Sequence, residues 1–258
     1  MLLMLLAWAL SGFPDQSRAP ATRIDVSRLK LGSPTPIASL DLANLKADLR
    51  QICWSPEESQ LYIEAVENDG ASAKLHHYLV SVDRGSLTGL DTAPEWAVEY
   101  WAFKSDRSAP GIPDLLIDLE RKYETVTAGT GQAGALDREA GPIGGNVGNV
   151  DTLMKGNDQK QKQTVFRLVL RGEVVSEFMN QTPIPGLMFG WGPDGSGAIA
   201  HTDREGRLML FDEGGHRRGV AGVKEAVLPA WTMSGSRLAW AQRSGRRKYT
   251  LMMASVAR

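Results

Sequence analysis

The stretch "WGPDGSGAIAHTD" (191–203) decides the fold, because close relatives of it occur elsewhere in the same chain. "WTMSGSRLAWAQR" begins at Trp231 and "WSPEESQLYIEAV" at Trp54. Each is a Trp, a short polar turn and an apolar strand. A motif met three times is a building unit rather than an active site. Asp-Gly and its substitutes tolerate the left-handed backbone that a tight hairpin requires.

The segments around each copy repeat in the same order. After Trp54 come "QLYIEAV", the turn "ENDGAS", "AKLHHYLVSVD", the turn "RG" and "SLTGL". From residue 186 the order is "GLMFGW", "GPDGS", "GAIAHTD", "REG", "RLMLFDE", "GGH" and "RRGVAG". A third copy starts at 225 with "EAVLPAW" and ends in "KYTLMMASV". Second strands are expected at 60–66, 197–203 and 237–242, and third strands at 74–82, 207–212 and 248–256. Trp191 and Trp231 stand 40 residues apart. A weaker copy, "APEWAVEYWAFKSD", places Trp96 42 residues after Trp54. Repeats of roughly 40–45 residues with four strands each are the pattern of propeller blades.

The "WSPEESQLYI" and "WGPDGSGAIA" segments resemble the Trp-Ser-Pro-Asp-Gly signature of TolB-type, WD40-like β-propellers. The resemblance covers roughly 49–120 and 186–258 and concerns the propeller part only. It implies an all-β fold of about five four-stranded blades, one of them degraded. The last unit stops after three strands, and an exposed strand edge invites aggregation. The alternating segment "RIDVSRL" (23–29) is the candidate to pair with 249–256 and close the ring. The segment "ASLDLANLKADLRQ" (38–51) reads as a short helix or a linker.

Two regions depart from the repeat. Residues 2–10, "LLMLLAWAL", are too short to span a bilayer and suit a signal-peptide core, with small-residue sites at Ala9-Leu10-Ser11 and Ala19-Pro20-Ala21. The bland alternative is a buried first strand or helix. A signal peptide (1–21) and a single propeller domain (22–258) are therefore expected, with a periplasmic or secreted location, or a cytoplasmic one if the run is not a signal. Residues 125–163, rich in Gly, Gln, Asn and Asp, read as a disordered insertion in the third unit, ahead of "TVFRLVL" (164–170) and "EVVSEFM" (173–179).

The composition excludes several functions. The 258 residues carry a net charge of -1, which lacks the basic excess of a nucleic-acid binder. The one cysteine, Cys53, allows no intrachain disulfide and reads as a small buried apolar residue. The nucleophile-elbow pattern G-x-S-x-G is absent. "GPIGGNVGNV" (141–150) lacks the flanking strand and helix of a phosphate loop. His76 and His77 point to opposite faces of a strand, and His201 with Asp203 gives two ligands where zinc needs three or four. No metal, no cofactor and no catalytic residue is expected.

One charge pattern remains. The hairpins "DREGR" (203–207) and "RSGRRK" (243–248) place Arg204, Arg207, Arg243, Arg246, Arg247 and Lys248 at one end of neighbouring blades, a candidate basic rim. Glu57, Glu58 and Asp194 fall at the opposite end. The solvated-tip reading competes with an acidic partner. The expectation is a monomeric, non-enzymatic interaction scaffold of the cell envelope with a protein partner. The alternative is a lyase, hydrolase or lactonase working in the central channel.

Overall fold

A computed structural model describes residues 23–68, 73–107, 109, 111–112, 114–126, 159–180, 189–203 and 205–258. Two strands come first, β1 (Lys30–Leu31) and β2 (Thr35–Asp41). A four-strand unit follows: β3 (Ala47–Trp54), β4 (Gln60–Asn68), β5 (Ala73–Ser81) and β6 (Leu87–Leu90). After the helix α1 (Glu95–Asp106) come β7 (Leu115–Val126), β8 (Gln159–Leu170) and β9 (Glu173–Asn180). The next unit is β10 (Phe189–Trp191), β11 (Ala198–Thr202), β12 (Leu208–Asp212) and β13 (Arg217–Gly219), and then β14 (Ala226–Trp231), β15 (Arg237–Gly245) and β16 (Lys248–Ala257). Strands within each unit pair antiparallel in chain order. This is the all-β blade architecture of a propeller, and the described residues hold four sheets of it.

The Trp-turn-strand repeat has one geometry in three units. Trp54, Trp191 and Trp231 each end an inner strand and are buried, 6%, 4% and 5% exposed. The following residue donates its N–H to the start of the next strand: Ser55 to Gln60, Gly192 to Ala198, Thr232 to Arg237. The fourth residue after each Trp is left-handed: Glu58 at φ 56°, Gly195 at 70° and Gly235 at 72°. Glycine adopts that conformation freely, whereas Glu58 is strained there. Its side chain compensates between sheets. Glu58 accepts from Ser234 N (2.7 Å) and Ser234 Oγ (2.9 Å), and its carbonyl accepts from Arg237 Nη2 (2.6 Å). Arg237 also lies 4.8 Å over the Trp54 ring, and Trp54 Nε1 donates to Ala230 O at 3.0 Å.

Adjacent sheets bury apolar faces against each other. Leu49, Ile52, Leu61 and Ile63 meet Val227, Leu228 and Leu251. Ala200 and Leu210 meet Trp231, Leu238 and Trp240, while Leu115, Ile117 and Leu168 meet Phe189, Ile199 and Phe211. The inner strands approach closely. A Cβ on Gly190 would collide with the Pro229 carbonyl oxygen, at a bulge where Leu228 takes φ 51°. Pro229 has no N–H for a ladder, so the bulge accommodates it.

Three expectations need correction. An N-terminal strand does extend the sheet of β16, but it is not 23–29. β1 and β2 pair with it, from Lys30↔Ala257 to Lys248↔Asp41. Residues 23–29 form a surface turn that sends Ile24, Val26 and Leu29 inward: Asp25 captures the Ser27 N–H at 3.0 Å, a local bond that competes with ladder pairing. Its alternation was real as burial, since Ile24, Val26 and Leu29 enter the core. Second, 38–51 is neither helix nor linker; β2 ends there, a turn spans 43–46 and β3 begins at Ala47. Third, the Trp96 copy is helical: no Gly or Pro turn follows that Trp, and "EWAVEYWAFK" runs on through helix-compatible residues. Residues 1–21, 141–150 and 127–158, the bulk of the expected insertion, lie outside the described residues. Regular pairing reaches into both ends of 125–163, as far as Val126↔Gln159.

Candidate functional site

The first four-stranded sheet has one apolar face and one polar face. Strand alternation sends Ile52, Trp54, Leu61 and Ile63 into the core shared with the last sheet. The other face presents Gln51, Glu64 and His77 in one row and Cys53, Tyr62 and Leu79 in the next, as the register dictates. Helix α1 lies on this face. Ala97, Trp96 and Tyr100 pack on Cys53 and Tyr62, and Gln51 Nε2 donates to Ala97 O at 2.9 Å.

The polar row is internally saturated. Glu64, 6% exposed, receives Arg50 Nη1 at 2.5 Å on one oxygen and the Tyr62 hydroxyl at 3.0 Å on the other. His77 Nδ1 is 2.7 Å from the same hydroxyl and 3.7 Å from Glu64. Burial, then the Glu64 charge, push the Tyr62 phenol far above its ordinary range. Burial pushes the Cys53 thiol up to about 12. Neither is a poised nucleophile. The row therefore orients the helix. His76, on the opposite face as expected, pairs with Glu67 at 3.0 Å.

Beneath the helix sits Lys104, 1% exposed. Its Nζ makes no hydrogen bond among the described residues and lies 5.5 Å from the Phe189 ring centroid. Desolvation pushes the amine down to about 7. The buried Tyr100 hydroxyl is also unbonded, and burial raises its pKa. Outward, α1 exposes Val98 (56%) and leaves Trp96, Tyr100 and Trp101 half-buried, with Arg50 stacked 4.2 Å over Trp101.

The basic hairpins do become neighbours. Ala226 N donates to Gly206 O and Arg243 N to Glu225 O, both at 2.9 Å, so residues 225–226 link the two tips. Most of their charge is answered locally. Arg207 meets Asp203 (2.7 Å) and Glu205 (3.0 Å), Arg247 meets Asp48 (3.4 Å) and Lys248 meets Asp41 (2.9 Å). Arg243 and Arg246 form no ion pair among the described residues, and Arg204 lies outside them. At the other end, Glu58 bridges two sheets, while Glu57 and Asp194 are exposed. His201 is a core residue, 1% exposed, held down to about 4 by desolvation and tilted against Phe211 at 4.8 Å. Asp203 serves Arg207 instead.

Sequence reasoning missed Arg50, Glu64, Tyr62, Lys104 and Trp101. The alternation Tyr62-x-Glu64 opposite His77 was available as a signal; the helix that covers it was hidden by the misread Trp96. It also missed the meeting of Asp25 with Asp212 and His216.

No protein-family model and no curated protein matches the chain. Among solved structures it is similar to Sqt1 from Chaetomium thermophilum, at 14% identity and a TM-score of 0.23, over 82% of this chain and 44% of that one. A Sqt1 structure bound to the N-terminus of the ribosomal protein L10 matches at 15% identity and a TM-score of 0.23, over 81% and 46%. The β-propeller domain of Cps50 (Swd1) from Myceliophteria thermophila matches at 11% and 0.28, over 81% and 84%. Pyrococcus horikoshii acylaminoacyl peptidase matches at 9% and 0.25, over 80% and 37%. The chain spans less than half the length of Sqt1. Among the described residues no helix is long and apolar enough to cross a membrane.

Proposed function

We propose that this protein is a non-enzymatic interaction scaffold of the cell envelope, a TolB-type propeller that docks a protein partner on the α1 face of its first sheet. One observation carries the reading. The helix that interrupts the repeat exposes Val98 and leaves Trp101, with Arg50 stacked on it, half-buried on its outer side, while Trp96 and Tyr100 pack inward on the sheet. Trp and Arg beside an apolar centre are enriched in binding hot spots. The locked Glu64–Tyr62–His77 row beneath holds that display rigid, which lowers the entropy lost on docking.

A photo-crosslinking residue at position 98, in the chain produced with its native upstream sequence in its own host, tests this. A discrete adduct is expected, abolished by Trp101→Glu. The same reporter at Val174, also exposed at 54%, supplies the control. No adduct at 98, or the same adducts from both positions, defeats the proposal. Fractionation of that host tests the envelope location independently. Arg243 and Arg246 on the basic rim are assigned to a secondary contact with acidic groups, read as a salt-dependent loss of crosslinking in the double Ala variant.

The enzymatic alternative is favoured by one feature, the unbonded Lys104 amine held near neutrality. Turnover of a lactone or ester panel by the native chain but not by Lys104→Met would support it over the scaffold reading.

A further inference from the structure

Away from the α1 face, groups from two distant parts of the chain converge. Asp25 belongs to the N-terminal turn, and Asp212 ends β12. The residues "DEGGH" (212–216) fold back so that His216 stands over Asp212, with Gly215 at φ 81°. His216 Nδ1 is 2.9 and 3.1 Å from the two Asp212 oxygens and 3.5 Å from Asp25 Oδ1. One donor atom from each residue fits within a span of 4.8 Å.

Ligand bonds of about 2.0–2.2 Å in a tetrahedral site place donors roughly 3.3–3.6 Å apart, so an ion entering here replaces the His216–Asp212 hydrogen bond and draws the three donors together by small side-chain rotations. One imidazole nitrogen with two carboxylate oxygens is a donor set for first-row divalent cations rather than for calcium or magnesium. Two observations beyond the clustering point the same way. First, Asp212 is 2% exposed and accepts from Val26 N and His216 N, yet among the described residues no cationic side chain other than the imidazole pairs with its carboxylate. Arg28 meets the other oxygen of Asp25, not Asp212, at 3.1 Å with its side chain 85% exposed, and Arg23 pairs with Glu213. Arg218 binds Ser27 O. A buried carboxylate beside a second one calls for compensating positive charge. Second, residue 214 is glycine, and a Cβ there would press to 3.2 Å on both Asp212 Oδ1 and His216 Nδ1. The approach to the donors is thus kept clear.

We propose that Asp25, Asp212 and His216 bind a zinc-class divalent cation, with water completing its shell, and that the ion staples residues 23–29 to the β12–β13 hairpin. Val26 N donates to Asp212 Oδ2 at 2.9 Å, so the segment is already positioned for that staple. The site joins sequence positions 25 and 212 as a disulfide would, in a chain with one cysteine.

The test uses the untagged full chain stripped with chelator. Zn2+ is titrated by calorimetry, with Mg2+ and Ca2+ in parallel, and thermal midpoints and tryptic cleavage after Arg28 are followed with and without Zn2+. One equivalent of Zn2+ should bind, raise the midpoint and slow the cleavage, while Mg2+ and Ca2+ do neither. Asp25→Asn and His216→Ala, both at partly exposed positions, should each weaken Zn2+ binding at least tenfold and lose the Zn2+-induced increment, whatever their metal-free midpoints. Absence of saturable uptake, equal uptake in both variants, or an equal response to Mg2+ overturns the assignment in favour of a plain ion-pair clasp.

Discussion

Replacing Lys104 with Met should stabilise the protein and flatten its pH dependence. The folded amine titrates at about 7 against 10.5 when free, because burial disfavours the charged form. Its folded pKa is depressed. Below 7 both states carry the proton and the desolvation penalty is complete; from 7 to 10.5 the unfolded state binds the extra proton, so stability rises with pH. At about 1.4 kcal/mol per unit, the native chain should gain ~2 kcal/mol between pH 7.0 and 8.5. Cys53, pushed up to about 12, remains a thiol throughout. Met has nearly the same volume and no charge, so Lys104→Met removes both the penalty and the unbonded Nζ, for about 2–4 kcal/mol at pH 7. Urea unfolding followed by tryptophan fluorescence at the two pH values gives both quantities. A variant that is less stable than the native chain at pH 7, or that keeps the native pH slope, would refute the reasoning and mean that a partner group holds the ammonium.

Further tests address the repeat and the sheet edge. Glu58→Ala should destabilise by about 2 kcal/mol by urea titration, through loss of the two Ser234 bonds to its carboxylate and of the 3.5 Å ion pair with Arg237, whereas Glu58→Gly should lose roughly 1 kcal/mol less because the left-handed strain is relieved; equal losses would show that the strain is absent. Gly190→Ala should lower the thermal midpoint sharply by driving Cβ against the Pro229 carbonyl, while Gly89→Ala, with open space around it, should not. Deleting residues through Asp41 should bare the β16 edge and give concentration-dependent association by light scattering; a monodisperse product contradicts the pairing.

The blades were legible because their signal is local. A Trp, a turn and an alternating strand lie within a dozen residues, and the second strands start at 60, 198 and 237 as the turns required. The helix was not legible in the same way. Trp96 imitated the repeat in spacing, and only the missing turn behind it betrayed α1. The strand that pairs with β16 was less legible, because burial imitates pairing in sequence: Ile24 and Val26 alternate into the core, but "TPIASLD", with Pro36 in an edge strand, pairs with β16. Site chemistry was the least legible. Glu64, His77 and Arg50 acquire meaning only from the cross-strand register, and Asp25 with His216 only from a turn that brings the chain's distant parts together.

The pairing of β2 with β16 also sets an order of events during synthesis. Thr35 Oγ1 bonds Met253 O across 218 residues, so the ribosome must add the intervening blades before β2 has a partner. Loop closure over that distance is entropically slow, and contacts of such range belong to late steps of folding. Until then β2 is an unpaired apolar strand beside a growing array of finished blades. A nascent chain in that state is open to chaperone capture, and its first sheet can assemble long before the molecule as a whole becomes resistant to proteases.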